Sequence, residues 1–172
     1  MDFSGYSYFV HPLTDGIPRV EAALLDEVVE EILELVDMRS VSRIVTVEAM
    51  GIPVATALSL ASDVPVTVVR KRRYGLEGEV EIGQRTGYAK GSLFINGLEK
   101  GEKVLVIDDV ISTGGTLAPL LFALREMRVD VREVLVLIEK GDGRARVEKE
   151  TGLRIKTLAR VDVRDGKVVV LD

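Results

Sequence analysis

The 172-residue sequence contains no cysteine, no tryptophan and a single histidine. Without cysteine there is no disulfide framework, no thiolate zinc site and no cysteine nucleophile. With His11 as the only imidazole, any site that needs two of them is excluded. Aromatic residues make up only 5% of the chain, and there are five prolines. An excess of basic charge is also missing. The 23 Lys and Arg stand against 28 Asp and Glu, a net charge of −5, which argues against a nucleic-acid footprint over the whole chain. Long apolar runs are missing too: the longest weakly charged stretch, Ile52 to Val69, is broken by Pro53, Asp63 and Pro65, so no membrane span is expected. Met1 to Ser7 carries Asp2 and no basic residue ahead of an apolar run, unlike a secretory signal. What remains is 47% apolar and 30% charged, an ordinary globular mixture at a length that suits one domain with its own core. The expectation is one soluble, cytoplasmic domain over residues 1–172, with no membrane or nucleic-acid partner.

Periodicity gives the class. Val20, Leu24, Val28, Ile32 and Leu35–Val36 recur every three or four residues with glutamates between them, which predicts an amphipathic helix after Pro18. Short β-branched runs at 43–47, 66–69, 104–107 and 134–138 read as buried strands, and 51–61 and 115–128 read as helices between them. Ser92–Ile95 reads as a further strand, 145–150 as a helical segment, and 155–163 and 167–171 as terminal strands. Strands alternating with helices, apolar throughout rather than at every second residue, predict an α/β fold with a mostly parallel twisted sheet. Between Arg70 and Gly91 there are five glycines and few large apolar residues, the composition of a functional lid.

Ligands of open α/β sheets bind beyond the carboxyl ends of the strands, so the residues there carry the chemistry. The apolar run Val104–Ile107 leads into Asp108 and Asp109, then into Ser112-Thr113-Gly114-Gly115-Thr116 and a helix. Backbone N–H groups of such a loop, with the positive end of the helix dipole, suit a phosphate. Two carboxylates beside it would repel phosphate and suit sugar hydroxyls or a metal ion instead, and the combination suggests a sugar phosphate. The bland alternative is a strand-to-helix turn with one Asp as a cap. The lysine of the Walker loop is absent, and so is the dinucleotide fingerprint.

Three further segments sit at strand ends. Glu48-Ala49-Met50-Gly51 brings a glycine that allows close backbone approach, although Met50 and Ile52 can equally pack. Arg70-Lys71-Arg72-Arg73 is either a solvated charged face or a cationic lid for a departing anion, with Lys71 and Arg72 the foremost candidates. Lys140 follows the run Val134–Ile138. Tyr6, Tyr8 and Phe9 fit either a base-stacking hood or a core, and His11 reads as a surface or hood residue. Asp108 with Lys140 also fits a phosphoacceptor receiver domain loosely, but the first strand ends at Glu48 without that domain's acidic pair.

The stretch Val104–Thr116 resembles the phosphoribosyl pyrophosphate (PRPP) signature of the type I phosphoribosyltransferases. Glu48-Ala-Met-Gly-Ile-Pro53 looks like the archaeal-type hypoxanthine members, where adenine-type members carry Glu-Ala-Arg-Gly. The resemblance implies that fold, with a small N-terminal hood and a flexible lid. It implies that Asp108 and Asp109 meet the ribose hydroxyls directly or through Mg²⁺, with or without water between, and that Ser112, Thr113, Gly114, Gly115 and Thr116 hold the 5′-phosphate. Glu48–Gly51 would face pyrophosphate, Lys71 and Arg72 would serve catalysis from the lid, and Lys140 would read the purine with Phe9 beside it. Gly87-Tyr88 stands where adenine-type members carry Glu-Tyr, so their proposed acid is missing; Glu79 or Glu81 are the substitutes. The implied activity is purine phosphoribosyl transfer to N9, hypoxanthine and guanine favoured, with a homodimer expected. Adenine transfer and a non-catalytic PRPP-binding regulator remain the alternatives.

Overall fold

The central strand segments Ile44–Val47, Val66–Val69, Val104–Ile107 and Val134–Ile138 are β-branched or leucine throughout, and they line up side by side. The computed structural model describes residues 2–3, 6–7, 9–85, 90–164 and 166–171. In chain order it holds β1 (Asp2–Phe3), β2 (Tyr6–Ser7), α1 (Pro12–Asp15), α2 (Ala22–Leu35), a 3₁₀ turn (Met38–Ser40), β3 (Arg43–Val47), α3 (Ile52–Ser62) and β4 (Val66–Val69). There follow β5 (Val80–Arg85), β6 (Lys90–Ile95), β7 (Lys103–Ile111), α4 (Leu117–Glu126), β8 (Asp130–Lys140), α5 (Gly143–Thr151), β9 (Lys156–Arg164) and β10 (Lys167–Leu171).

Six strands form the main sheet in the order β10-β9-β8-β7-β3-β4, all parallel to their neighbours except β10 on β9. Two apolar layers cover it. Val45, Val47, Val104, Val106, Val134 and Val136 face the layer that includes α4. Their strand neighbours Ile44, Leu105, Ile107, Leu135 and Leu137 face the layer with α2 and α3. Both faces are buried, which is why the runs read as continuously apolar. Each such fully buried side chain contributes about 1.5–3 kcal/mol of transfer free energy.

The expected α/β class and mostly parallel sheet are present. Three boundaries differ from expectation. β7 runs on through Asp108 and Asp109 to Ile111, because β8 pairs with it beyond the acids: Asp108 stands opposite Val136 and Val110 opposite Ile138. β8 likewise extends to Lys140, held by β9 at Val161. The stretch expected as a lid from Arg70 to Gly91 is partly regular: β5 and β6 form an antiparallel hairpin from Val80↔Ile95 to Arg85↔Lys90. Ile82, Leu93 and Ile95 bury into the α4-side layer, so this hairpin is packed rather than loose. The part without strands is Lys71–Glu79. Thr86, Gly87 and Tyr88, and the side chains of Tyr6 and Tyr8, lie outside the described residues.

From β3 the chain steps outward to β4, and from β7 it steps the other way to β8 and β9. The order therefore reverses between β3 and β7, which places a crevice at their carboxyl ends.

Candidate active site

The crevice is lined by Glu48–Gly51 after β3 and by Asp108 and Asp109 near the end of β7. Gly51 explains how closely they approach. A Cβ on Gly51 would stand 2.2 Å from Thr46 Oγ1 and 3.2 Å from Asp108 Oδ1, so only glycine fits between the β3 and β7 ends. Thr46 is fully buried and its hydroxyl has no hydrogen-bond partner among the described residues. The Glu48–Ala49 peptide is cis. Met50 is turned outward, 39% exposed, and does not pack into the core.

Asp108 and Asp109 are half-buried neighbours, joined by the Asp109 N–H donating to Asp108 Oδ1 at 3.0 Å. Burial pushes the Asp108 carboxyl well above the usual carboxylate range, and the Asp109 charge adds to this; Lys71 pulls in the opposite direction. Burial raises the Asp109 carboxyl too. A pair held this way resists carrying two charges alone, so a cation or hydroxyl donors would complete it.

Glu48 ties the cationic segment to this crevice. Its Oε1 accepts from the Lys71 backbone N–H at 2.7 Å. Its Oε2 lies 2.8 Å from Arg70 Nε, a contact of opposite charges in which the N–H is not aligned as a hydrogen bond. Arg70 in turn bridges to Phe94 of β6, which fixes the hairpin to the end of β4. Lys71 is thus brought to the acid pair. Arg72 is not: its guanidinium lies over the Tyr74 ring, 5.7 Å from the centroid.

Ser112–Thr116 forms the turn from β7 into α4. Gly114 takes φ +71°, and Ala118 N–H closes the first helical bond to Gly114 O at 3.0 Å. Arg146 of α5 donates to the Thr113 carbonyl. At the far side of the crevice, Lys140 Nζ stands 5.9 Å from the Phe9 ring centroid. Burial lowers the Lys140 pKa, and Asp162 partly opposes this.

The two substitute acids are occupied. Glu79 accepts from Tyr74 N–H, Gly75 N–H and Asn96 Nδ2 at 2.9, 3.0 and 3.0 Å. Glu81 accepts from Ser92 Oγ at 2.7 Å. His11 caps α1, accepting from Leu13 N–H at 3.3 Å on Nδ1. Two neighbours of these loops were missed in the sequence: Arg146 of α5, which had no signal, and Thr46 beneath Gly51, at which only the glycine hinted.

An acid pair beside a glycine-rich loop, both at the switch point of a parallel sheet, stands where open α/β sheets take their ligands. The chain belongs to the phosphoribosyl transferase domain family, whose model matches residues 19–163. It is 54% identical over 165 residues to a hypoxanthine/guanine phosphoribosyltransferase of Methanocaldococcus infernus, covering 96% of this chain and 90% of that one. It is 50% identical over 166 residues to the protein of the same name from Methanocaldococcus jannaschii, covering 96% and 91%. Among solved structures, adenine phosphoribosyltransferase from Rhodothermus marinus superposes with a TM-score of 0.76 at 23% identity, over 92% of this chain and 90% of that one. At that identity the likeness establishes the fold. Among the described residues no helix is long and apolar enough to cross a membrane.

Proposed function

We propose that the chain is a hypoxanthine/guanine phosphoribosyltransferase of purine salvage, working in the cytoplasm as a homodimer. It would join N9 of the base to C1′ of PRPP as the bond from C1′ to pyrophosphate breaks, the proton of the base's imidazole nitrogen being lost to water. The observation that carries this reading is half-identity, across nearly the whole chain, to proteins of that name. The site supports it residue by residue.

Ser112–Thr116 and the amino end of α4 present backbone N–H groups to the 5′-phosphate. Asp108 and Asp109 face the ribose hydroxyls, on the side where positive charge grows as the C1′ bond breaks. Glu48–Gly51 contacts the pyrophosphate, and Lys71, held by Glu48, neutralises it as it leaves. Arg72 joins only if the 71–79 segment closes and takes it off Tyr74. Lys140 donates to the purine 6-oxo oxygen, and Phe9 offers a face to the ring. Glu79 and Glu81 are held in hydrogen bonds on the hairpin side, Glu79 by Asn96 and Glu81 by Ser92.

The residues also fit Mg²⁺. Among the described residues no three acidic or imidazole groups form a cage. A site of two adjacent carboxylates completed by substrate oxygens is the usual way Mg²⁺ is held. Asp108 and Asp109 would hold it, and when bound it would neutralise pyrophosphate charge. Titration of PRPP in the presence of Mg²⁺ tests the assignment: Asp109→Asn and Thr113→Val should each lose binding while keeping the wild-type fold. Normal PRPP binding by either variant would remove this site.

A further inference from the structure

The loop assigned to the 5′-phosphate does not stand alone. Its back is pressed against the first turn of α5 through a contact that two glycines make possible. A Cβ on Gly143, the first residue of α5, would stand 2.2 Å from Ser112 O, 2.6 Å from Ser112 C and 2.9 Å from Gly114 N, all backbone atoms. A Cβ on Gly114 would stand 2.3 Å from Val147 Cγ2 and 3.3 Å from Gly143 O. Both glycines are buried. One turn on, Arg146 reaches back and donates from Nη2 to Thr113 O.

This contact fixes which way the loop peptides face. The carbonyls of Ser112 and Thr113 are turned to α5, one against Gly143 and the other to Arg146. In a planar trans peptide the N–H points opposite to the C=O. The N–H groups of Thr113 and Gly114 are therefore aimed away from α5, toward the ligand side of the loop. Gly143 has no positive φ that would demand glycine, and it opens a helix where alanine is the better former. Its smallness is required by the loop and not by the helix.

We propose that Gly143 and Arg146 are positioning residues for the phosphate loop: α5 holds the Ser112 and Thr113 carbonyls from behind so that their peptide N–H groups face the PRPP 5′-phosphate. The inference rests on the reading of Ser112–Thr116 as that phosphate site. It also links the two ends of the substrate. Lys140, at the base end, is joined to Gly143 only by Gly141 and Asp142, so one short turn registers the base-reading strand with the phosphate-holding loop.

The test is steady-state kinetics and thermal unfolding of the full chain carrying Gly143→Ala, Arg146→Met or Arg146→Lys. Helix propensity alone predicts an unchanged or higher Tm for Gly143→Ala. Displacement of the loop by the added methyl predicts a KM for PRPP raised by roughly tenfold or more, the scale of one lost hydrogen bond to a charged group. kcat at saturating PRPP and KM for hypoxanthine should stay within about threefold, a change of less than roughly 1 kcal/mol. Arg146→Met should raise the PRPP KM by a smaller factor, and Arg146→Lys should restore part of it. A wild-type PRPP KM in Gly143→Ala overturns the proposal. So does a fall in Tm with both KM values and kcat moved alike, which would make the contact structural only. A wild-type chain that neither binds nor turns over PRPP overturns the functional reading itself, and this inference with it.

Discussion

The Lys140 ammonium and the Phe9 ring meet across the mouth of the crevice, 5.9 Å from nitrogen to centroid. One comes from the carboxyl end of β8, the other from the segment that precedes α1. On the proposed reading Lys140 donates to the 6-oxo oxygen of hypoxanthine or guanine, where adenine carries an amino group instead. Lys140→Met keeps the bulk of the side chain and removes the donor. kcat/KM for hypoxanthine and guanine should fall by roughly 10- to 100-fold, as expected for a hydrogen bond to a charged group. Any residual adenine activity should change less. Equal loss with all bases would remove Lys140 as the reader.

Glu48 acts as a tether. It grips the Lys71 N–H and lies against the Arg70 guanidinium, so Glu48→Ala frees the start of the 71–79 segment. Trypsin should cut within Arg70–Arg73 several-fold faster, and the KM for pyrophosphate in the reverse reaction should rise by roughly tenfold. Cleavage and pyrophosphate KM both at wild-type values would show that Glu48 does not hold the segment.

Gly51 sits where a methyl group cannot. Gly51→Ala places a carbon 2.2 Å from Thr46 Oγ1 and 3.2 Å from Asp108 Oδ1. The overpacking should cost about 1–3 kcal/mol of stability. Activity should fall further than stability explains, because Asp108 is displaced. Adding Thr46→Ala removes the nearer atom and should recover part of both losses. The double-mutant cycle measures that coupling, and strict additivity would contradict the contact.

The Glu79 carboxyl is held below its usual pKa of 4.5, chiefly by Asn96, with the Tyr74 and Gly75 N–H groups and Arg73 adding to the effect. A carboxyl depressed in the fold stabilises it above the unfolded pKa and stops doing so as pH falls through the folded value. The Tm gap between wild type and Glu79→Gln should therefore be full at pH 7 and narrow as the pH is taken below 4.5. A gap independent of pH would mean the charge on Glu79 is not what holds the 74–79 turn.

The sheet and the signature segment were legible because each was dictated locally. Strands buried on both faces must be apolar at every residue, and an acid pair followed by Ser-Thr-Gly-Gly-Thr has few structural reasons to exist. Boundaries were less legible: nothing in Asp108, Asp109 or Lys140 reports that β8 and β9 pair past them. The β5–β6 hairpin was masked by its glycines, which suggested a loose lid although Ile82 and Leu93 anchor it. The supports of the site were not legible at all. Gly143 behind the phosphate loop and Thr46 under Gly51 are long-range contacts, and only the fold brings their partners together.

The most direct measurement is pyrophosphate release from PRPP and Mg²⁺ with each of hypoxanthine, guanine, adenine and xanthine. The site and the relatives predict release with hypoxanthine and guanine, and little or none with adenine. Release with adenine alone would contradict the role of Lys140 and the base assignment. Saturable PRPP binding with no release from any base would make the chain a regulator built on the same fold.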